Sequence, residues 1–122
     1  MIVLLIVGII LFSVYHLFPI IQVVGDSMFP TYHNSEIILG TKLYLKSHLK
    51  SGDVIVYKSP VDEKIVIKRI FSIKEEKGGY LYFYCLGDNS ECSYDSREYG
   101  FVSSKNLVCK VINQRRNKNV CN

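Results

Sequence analysis

The fold is decided by residues 64–86, whose sequence is KIVIKRIFSIKEEKGGYLYFYCL. Two runs rich in Val, Ile, Tyr and Phe flank Lys77-Gly78-Gly79, and β-branched and aromatic residues favour strands. A turn that contains Gly-Gly between two such runs is typical of a β-hairpin. The sequence therefore predicts one strand over Lys64–Ile73 and a second strand over Tyr80–Leu86.

Further short strands flank this hairpin on both sides. They are predicted over Ile20–Val24, Glu36–Leu39, Val54–Tyr57, Gly100–Val102 and Leu107–Ile112, with turn signals at Gly25-Asp26 and Ser51-Gly52-Asp53. The chain shows no convincing amphipathic helix and no internal repeat. Short strands joined by turns are typical of an all-β fold. In a chain of 122 residues we expect one small β-barrel or β-sheet domain over residues 20–112.

Residues 1–19 form a separate apolar segment. Every residue from Met1 to Val14 is apolar except Ser13, and the apolar run continues almost to Pro19. About twenty helical residues span roughly 30 Å, which is the thickness of the hydrocarbon core of a bilayer. We therefore expect one transmembrane anchor that ends near Pro19. A cleavable secretory signal is the weaker alternative, because the basic start and the small-x-small site of such signals are missing.

The charge pattern favours a membrane partner over a nucleic acid. The net charge of +4 includes eleven acidic residues, and among the basic residues only Arg115-Arg116-Asn117-Lys118 forms a run. Scattered charges of both signs do not predict nucleic-acid binding, whereas a mildly basic domain beside a membrane suits anionic lipid. Residues 113–122 are expected to form a basic, solvated tail. Long folded domains cross membranes largely regardless of charge, so the charges do not fix the orientation.

A serine with a candidate base is the main chemical signal. Ser27 lies where the strand over Ile20–Val24 gives way to a loop, and a hydroxyl needs a base to become a nucleophile. The histidines suit this task poorly. One lies in the apolar segment, one follows Ser27 too closely and one lies in a Lys-rich stretch; they are His16, His33 and His48.

Lys68 is the alternative base. On an alternating strand it shares a face with Val66 and Ile70, while Arg69 points the other way. Apolar surroundings favour the neutral amine, which can accept a proton. An exposed lysine on an edge strand would show the same local pattern, so the residues alone leave both interpretations open.

Three ordered segments resemble the type I signal peptidases of bacteria, which are membrane-bound Ser-Lys proteases. They are GDSMFPT at residues 25–31, KRI at residues 68–70 and GDNSECSYDSREYG at residues 87–100. The resemblance implies an endopeptidase, on the extracytoplasmic side of the cell membrane, that cleaves signal peptides from exported precursors after a small-x-small site. It implies neither a metal nor another cofactor. Two related alternatives are a maturation peptidase dedicated to a pilin or conjugation protein and an inactive, peptidase-like assembly factor.

The resemblance also implies roles for individual residues. Ser27 matches the acylating nucleophile, Lys68 the general base and Ser93 the serine that orients the lysine. Gly25 and Met28 match positions at the oxyanion and substrate site, although many members carry a hydroxyl residue where this chain has Gly25. Structural support is implied for Arg69, Asp88, Asp95 and Arg97.

The chain departs from the larger members of this family in two respects. Those members insert a second domain before Gly-Asp-Asn, whereas this chain reaches Gly87 after a single hairpin and resembles a minimal catalytic core. It also has four cysteines, Cys85, Cys92, Cys109 and Cys121, which lack the close pairs of a zinc site. Outside the cytoplasm they allow three disulfide pairings, and we expect Cys85 and Cys92 to pair or to lie near each other.

Overall fold

The computed structural model describes residues 1–44 and 46–117. A helix, α1 (Ile2–Leu17), precedes the sheet, and a short helix, α2 (Ser96–Tyr99), follows the fifth strand. The strands are β1 (Ile20–Gln22), β2 (Ile37–Thr41), β3 (Val54–Lys58), β4 (Ile65–Glu76), β5 (Tyr80–Leu86), β6 (Val102–Ser103) and β7 (Leu107–Val111). Single 3₁₀ turns lie at Lys46–His48, Ser90–Cys92 and Ser104–Asn106.

These strands form one open sheet, in which every pairing is antiparallel. Their order is β1-β2-β7-β3-β4-β5-β6, so β1 and β6 are the two edges. The predicted β-rich domain is confirmed as a sheet, and the hairpin of β4 and β5 turns at Gly78-Gly79 as expected. The short helix α2 was not predicted. It is capped by the side chain of Asp95, which accepts a hydrogen bond from the backbone N–H of Arg97.

A β-bulge divides the β4–β5 hairpin into an inner and an outer half. Ile70 pairs with Cys85, but the next pair is Ser72 with Tyr84, so Phe71 is an extra residue on β4. The hydroxyl of Ser51 donates a hydrogen bond of 2.6 Å to the carbonyl of Phe71. A bulge shifts the side-chain alternation by one residue. The inner half therefore keeps its own alternation, which includes Lys68.

Two apolar clusters cover the two faces of the sheet, because neighbouring residues of a strand point to opposite faces. The first cluster contains Met28, Tyr32, Val54, Val56 and Ile67, among others. The second contains Leu49, Ile55, Tyr57, Ile70, Phe83, Cys85 and Val102. Burying one large apolar side chain contributes about 1.5–3 kcal/mol. These clusters hold β3 and β4, and the residues that they carry, in a fixed register.

The helix α1 is shorter than the predicted anchor. It has 16 residues and ends at Leu17, just before Pro19. At about 1.5 Å per residue it is roughly 24 Å long, whereas a bilayer core needs about 30 Å. In the described part of the chain, no helix combines the length and the apolar character needed to cross a membrane. The transmembrane helix expected over residues 1–19 is therefore not confirmed.

Of the expectation that Cys85 and Cys92 pair or lie near each other, the pairing is wrong, whereas their proximity stays a prediction. Both are free thiols, as is Cys109. Cys85 is buried in the core of the sheet, opposite Ile70 on β4, whereas Cys92 is exposed in a 3₁₀ turn. The two side chains therefore lie in different environments. Cys121 lies outside the described residues.

Candidate active site

The structure brings Ser27 and Lys68 together. Ser27 lies in a turn after β1, which is closed by a hydrogen bond from the N–H of Phe29 to the carbonyl of Asp26. Lys68 lies on β4, directly opposite Ile55 of β3. Its Nζ donates a hydrogen bond of 2.8 Å to Ser27 Oγ, although 41 residues separate the two along the chain. A hydroxyl and an amine at this distance can exchange a proton.

The surroundings of Lys68 favour its neutral form. The residue is only 4% exposed. Burial lowers the pKa of Lys68 below its ordinary value, and the negative charge of Asp95 opposes this lowering. An unperturbed lysine at neutral pH needs about 4 kcal/mol to lose its proton. The buried setting reduces that free-energy cost, as a general base requires.

A carboxylate network lies behind this pair. Ser93 Oγ donates a hydrogen bond of 2.6 Å to Asp95 Oδ2, and the N–H of Gly87 donates one of 2.9 Å to the same oxygen. Arg97 pairs with Asp95 through Nε and Nη2, both at 2.9 Å. Burial raises the pKa of Asp95, but the hydrogen bonds from Arg97, Ser93 and Gly87 outweigh it and hold the pKa at about 2. Asp95 is thus a fixed negative charge.

Ser93 lies near the pair, but its hydroxyl proton is used elsewhere. Among the described residues, the hydrogen bond of its Oγ goes to Asp95, and Lys68 donates to Ser27 alone. An oxygen that donates its proton keeps its lone pairs for accepting. The lysine-orienting role of Ser93 therefore stays a prediction.

Gly87 is a site residue to which the sequence analysis assigned no role. The pairing of Arg69 with Leu86 brings it next to Lys68 at the end of the hairpin. A Cβ atom at Gly87 would lie 2.1 Å from Ser93 Oγ and 2.6 Å from the carbonyl oxygen of Ser27. The side chain of Ser93 therefore occupies the space that any larger residue at position 87 would need. The only sign of this role in the sequence is that Gly87 begins the Gly-Asp-Asn segment.

The loop that follows Gly87 also holds the loop of Ser27. The backbone N–H of Asn89 donates to the carbonyl of Ser27 at 2.9 Å, and its side-chain amide donates to the carbonyl of Asp26 at 3.0 Å. Both bonds were missed by the sequence analysis, since nothing in the spacing pairs position 89 with position 27. Asn89 thus holds both peptide groups that flank the Cα atom of Ser27.

Arg69 and Asp88 form a buried, two-pronged ion pair next to Lys68 and Gly87. Nε and Nη2 of Arg69 donate to the two carboxylate oxygens at 2.9 and 2.7 Å. The third nitrogen, Nη1, donates to the carbonyl of Gly52 at 2.7 Å. Two parallel bonds fix geometry as well as charge. The pair joins β4, the loop after β5 and the turn before β3.

Gly25 and Met28 lie on either side of Ser27, where Gly25 shapes the backbone of the loop and Met28 packs into the core. Gly25 has a backbone φ of 87°, which favours glycine, and its N–H donates to Asn34 Oδ1 at 2.8 Å. Met28 is fully buried in the first core cluster, beneath the loop. Among the described residues, the N–H of Ser27 has no hydrogen-bond acceptor. It is therefore free to meet an oxyanion.

An apolar cleft of about 480 Å³ opens beside Ser27 and Lys68. It lies between β1 and the first half of β4, with side chains of β3 and β7 as its floor. The other residues that line it are Pro19, Ile20, Ile21, Gln22, Val24, Val56, Ile65, Val66, Ile67, Val108 and Cys109. Within the described part of the chain, β1 pairs only with β2, and residues 65–68 of β4 pair only with β3. Two open strand edges thus border the cleft, as binding of an extended peptide requires.

The described residues offer no metal site. Within residues 1–44 and 46–117, no three His, Cys, Asp or Glu side chains converge where an ion would fit.

The family model for signal peptidase, peptidase S26, matches residues 1–77, which is more than half of the chain. The chain belongs to this family. It is 33% identical over 89 residues to signal peptidase I of Buchnera aphidicola subsp. Baizongia pistaciae. It is 31% identical over 93 residues to the mouse mitochondrial inner membrane protease subunit 1. It is 26% identical over 73 residues to the human signal peptidase complex catalytic subunit SEC11C.

These matches cover most of this chain but only part of each relative. They include 66%, 62% and 60% of the chain, in the order given. The corresponding shares of the relatives are 28%, 56% and 38%. The chain thus spans between about a quarter and about half of the length of these signal peptidase relatives. The match of the family model contains Ser27 and Lys68, whereas the network of Gly87, Ser93 and Asp95 lies beyond it.

Proposed function

We propose that this protein is a serine endopeptidase that cleaves signal peptides from exported precursor proteins. The observation that carries the proposal is the hydrogen bond of 2.8 Å between Lys68 Nζ and Ser27 Oγ, made by a buried lysine at the end of an open cleft. Membership of the signal peptidase family supports the same reaction class. Ser27 is the proposed nucleophile and Lys68 the proposed general base.

In the proposed mechanism, neutral Lys68 takes the proton of Ser27 as the hydroxyl attacks the scissile carbonyl. The N–H of Ser27 faces the oxygen that becomes negative, and one such donor is worth about 3–4 kcal/mol of transition-state stabilisation. The protonated lysine then gives its proton to the leaving amine. It next accepts a proton from the water that attacks the acyl-enzyme, and it gives this proton to Ser27 Oγ as the acyl bond breaks, which restores the hydroxyl and the neutral amine.

Asp95 is proposed to stabilise the ammonium form that Lys68 adopts after it takes the proton of Ser27. Its carboxylate is fixed as an anion, and its field favours the ammonium form of Lys68. Burial and Asp95 therefore act in opposite directions on the same amine. Ser93, held by Asp95, is proposed to accept a hydrogen bond from Lys68 once the lysine is protonated. Arg97 keeps Asp95 ionised.

The cleft suits an extended, uncharged segment of substrate. Its lining is apolar apart from Gln22, Ser27 and Lys68. A peptide that pairs with the open edges of β1 and β4 gains backbone hydrogen bonds, while its alternate side chains enter shallow pockets. This matches a precursor with small residues at the first and third positions before the cut, which the family resemblance implies.

Membrane lipid is the proposed partner of α1, and the extracytoplasmic side of the cell membrane is the proposed location. α1 is apolar and has no buried residue. Contact with lipid would remove its apolar surface from water and hold the enzyme near membrane-bound precursors, which raises their effective concentration. Extraction of membranes at alkaline pH tests this point, because a protein that is only adsorbed is released whereas one held by apolar contact stays in the pellet.

The deciding experiment is processing of radiolabelled precursors by the detergent-solubilised full chain. Ser27→Ala and Lys68→Ala are expected to abolish cleavage without loss of the fold. Ser47→Ala and Lys77→Ala are the matched controls, since both residues are exposed and distant from the cleft. Cleavage by Ser27→Ala or Lys68→Ala at the wild-type rate would exclude the proposed roles. Mapping cut sites over a panel of precursors separates a general signal peptidase from one dedicated to a single partner.

A further inference from the structure

The segment after β7 crosses the back of the loop that carries Ser27. We call residues 113–115 the strap and residues 24–35 the nucleophile loop. The loop is closed at its base, because the N–H of Val23 donates to Glu36 at 2.8 Å and the N–H of Ser35 donates to Val23 at 2.7 Å. One side of the loop is held by Asn89, as described above. The strap contacts the other side.

Gln114 anchors the strap to the sheet. Its Oε1 accepts the N–H of Val54 at 2.7 Å, and its Nε2 donates to the carbonyl of Val54 at 2.9 Å. The side-chain amide thus satisfies both backbone groups of Val54, as a neighbouring strand would. Nε2 also donates to the carbonyl of Val111 at 2.6 Å. These bonds fix the start of the strap beside β3.

Four contacts join the strap to the nucleophile loop and to Glu36, which follows it directly. Arg115 Nη1 donates to the carbonyl of Thr31 at 3.1 Å and forms an ion pair with Glu36. Its guanidinium lies over the ring of Tyr32, at 4.8 Å from the ring centre. The hydroxyl of Tyr32 donates to the carbonyl of Asn113 at 2.9 Å. A planar guanidinium that binds a carbonyl, a carboxylate and an aromatic face at once is not replaced by lysine.

These contacts reach Ser27 through a short chain of bonds. The N–H of Tyr32 donates to the carbonyl of Met28 at 3.0 Å, and Met28 follows Ser27 directly. Tyr32 is fully buried, so its position is set by what surrounds it. Thr31 is buried as well, and its carbonyl contacts the strap through Arg115.

From this geometry we infer that Arg115 is a positioning residue for catalysis, which holds the nucleophile loop so that Ser27 stays in reach of Lys68. The inference rests on the proposed role of Ser27. It gives the strap a function that lies outside the family match at residues 1–77. Arg115 touches neither Ser27 nor the cleft, so it acts through the loop.

The test compares Arg115→Ala with Arg116→Ala in the full chain. Arg116 is exposed and makes no hydrogen bond or ion pair within the described residues, which makes it a matched control. Because displacement of a reacting group by about 1 Å can cost about 10² in rate, we expect kcat of Arg115→Ala to fall by roughly ten- to a hundredfold with KM little changed. Hydrogen exchange at the amides of Phe29 and Tyr32 should become at least about tenfold faster, since opening of this loop costs less. Arg116→Ala should alter neither quantity.

All rates are measured well below the melting temperature of each variant, so that lost stability is not read as lost positioning. If Arg115→Ala does not fold, Arg115→Lys replaces it, and the same two effects are expected because the planar contacts are lost. Wild-type kcat together with wild-type exchange at Phe29 and Tyr32 would overturn the inference. If the wild-type protein cleaves no precursor but hydrogen exchange is still faster in Arg115→Ala, Arg115 holds the nucleophile loop and the proposed function is refuted.

Discussion

The substitution Gly87→Ala is expected to slow the proposed precursor cleavage strongly by adding a single methyl group. The new Cβ would lie 2.6 Å from the carbonyl oxygen of Ser27, whereas ordinary contact begins at 3.4 Å. The loop of Ser27 would have to retreat by roughly 0.8 Å, because backbone atoms cannot rotate away as a side chain can. Ser93 would have to move as well, since its Oγ would be 2.1 Å away. Overpacking of this kind costs about 1–3 kcal/mol of stability.

The effect on catalysis should exceed the effect on stability. A shift of about 1 Å in a reacting group costs about 10² in rate, so kcat of Gly87→Ala should fall by roughly two orders of magnitude. Loss of a few kcal/mol in a domain of this size lowers the melting temperature by roughly 4–8 °C per kcal/mol. The assay is precursor cleavage under saturating substrate, combined with thermal unfolding. Gly8→Ala is the control, because a Cβ there meets nothing within 4 Å. A Gly87→Ala protein with the wild-type kcat and melting temperature would refute the steric reasoning.

Three further predictions concern the ionisable groups of the site. Activity should rise with pH from about pH 6 toward about pH 10, because Lys68 must be neutral, and its inflection should lie below the ordinary lysine pKa of about 10.4; a flat profile would contradict a lysine base. Lys68→Met should raise the free energy of unfolding at neutral pH, because burial penalises the ammonium form and lowers the pKa of Lys68. Denaturant titrations should show this gain vanishing as the pH approaches about 10.4, where the unfolded lysine is also neutral. A variant that is less stable than the wild type at pH 7 would contradict this prediction. Asp95→Asn should lower the free energy of unfolding by roughly 2 kcal/mol above about pH 4, because the folded pKa of about 2 lies below the unfolded value. The stabilities of the two proteins should become equal as pH falls through about 2. A constant difference in stability down to that pH would show that the charge is not responsible.

The strands were predictable because their signals are local. The alternation in residues 64–86 and the Gly78-Gly79 turn are properties of neighbouring residues, and the structure places β4 and β5 within a few residues of the prediction. The facing of Lys68 with Val66 and Ile70 follows from the same period of two. The length of α1 was less predictable, because the apolar run continues past Leu17 into β1, where the chain bonds to β2 instead of extending the helix.

The site itself was not predictable from local patterns. Nothing in the residues alone selects Ser27 as the partner of Lys68 across 41 positions, and only the resemblance to a family of Ser-Lys peptidases connected the two. The contacts of Asn89 and Arg115 with the nucleophile loop depend on tertiary folding in the same way. The cysteines show the opposite failure, since the expected pairing of Cys85 with Cys92 is not formed and both are free thiols.

The bulge at Phe71 separates a part of the hairpin that can accept inserted residues from a part that cannot. Pairing between Arg69 and Leu86 fixes the inner half of the hairpin, whereas everything from Ser72 to Tyr84 lies beyond the irregularity. Residues added at Gly78-Gly79 would lengthen the outer half of the hairpin and leave Lys68 where it is. A single residue added between Lys68 and Ile70 would reverse the facing of the strand and turn the amine away from the hydroxyl. Insertions are therefore tolerable at the turn of the β4–β5 hairpin, whereas an insertion next to Lys68 would separate the amine from the hydroxyl of Ser27.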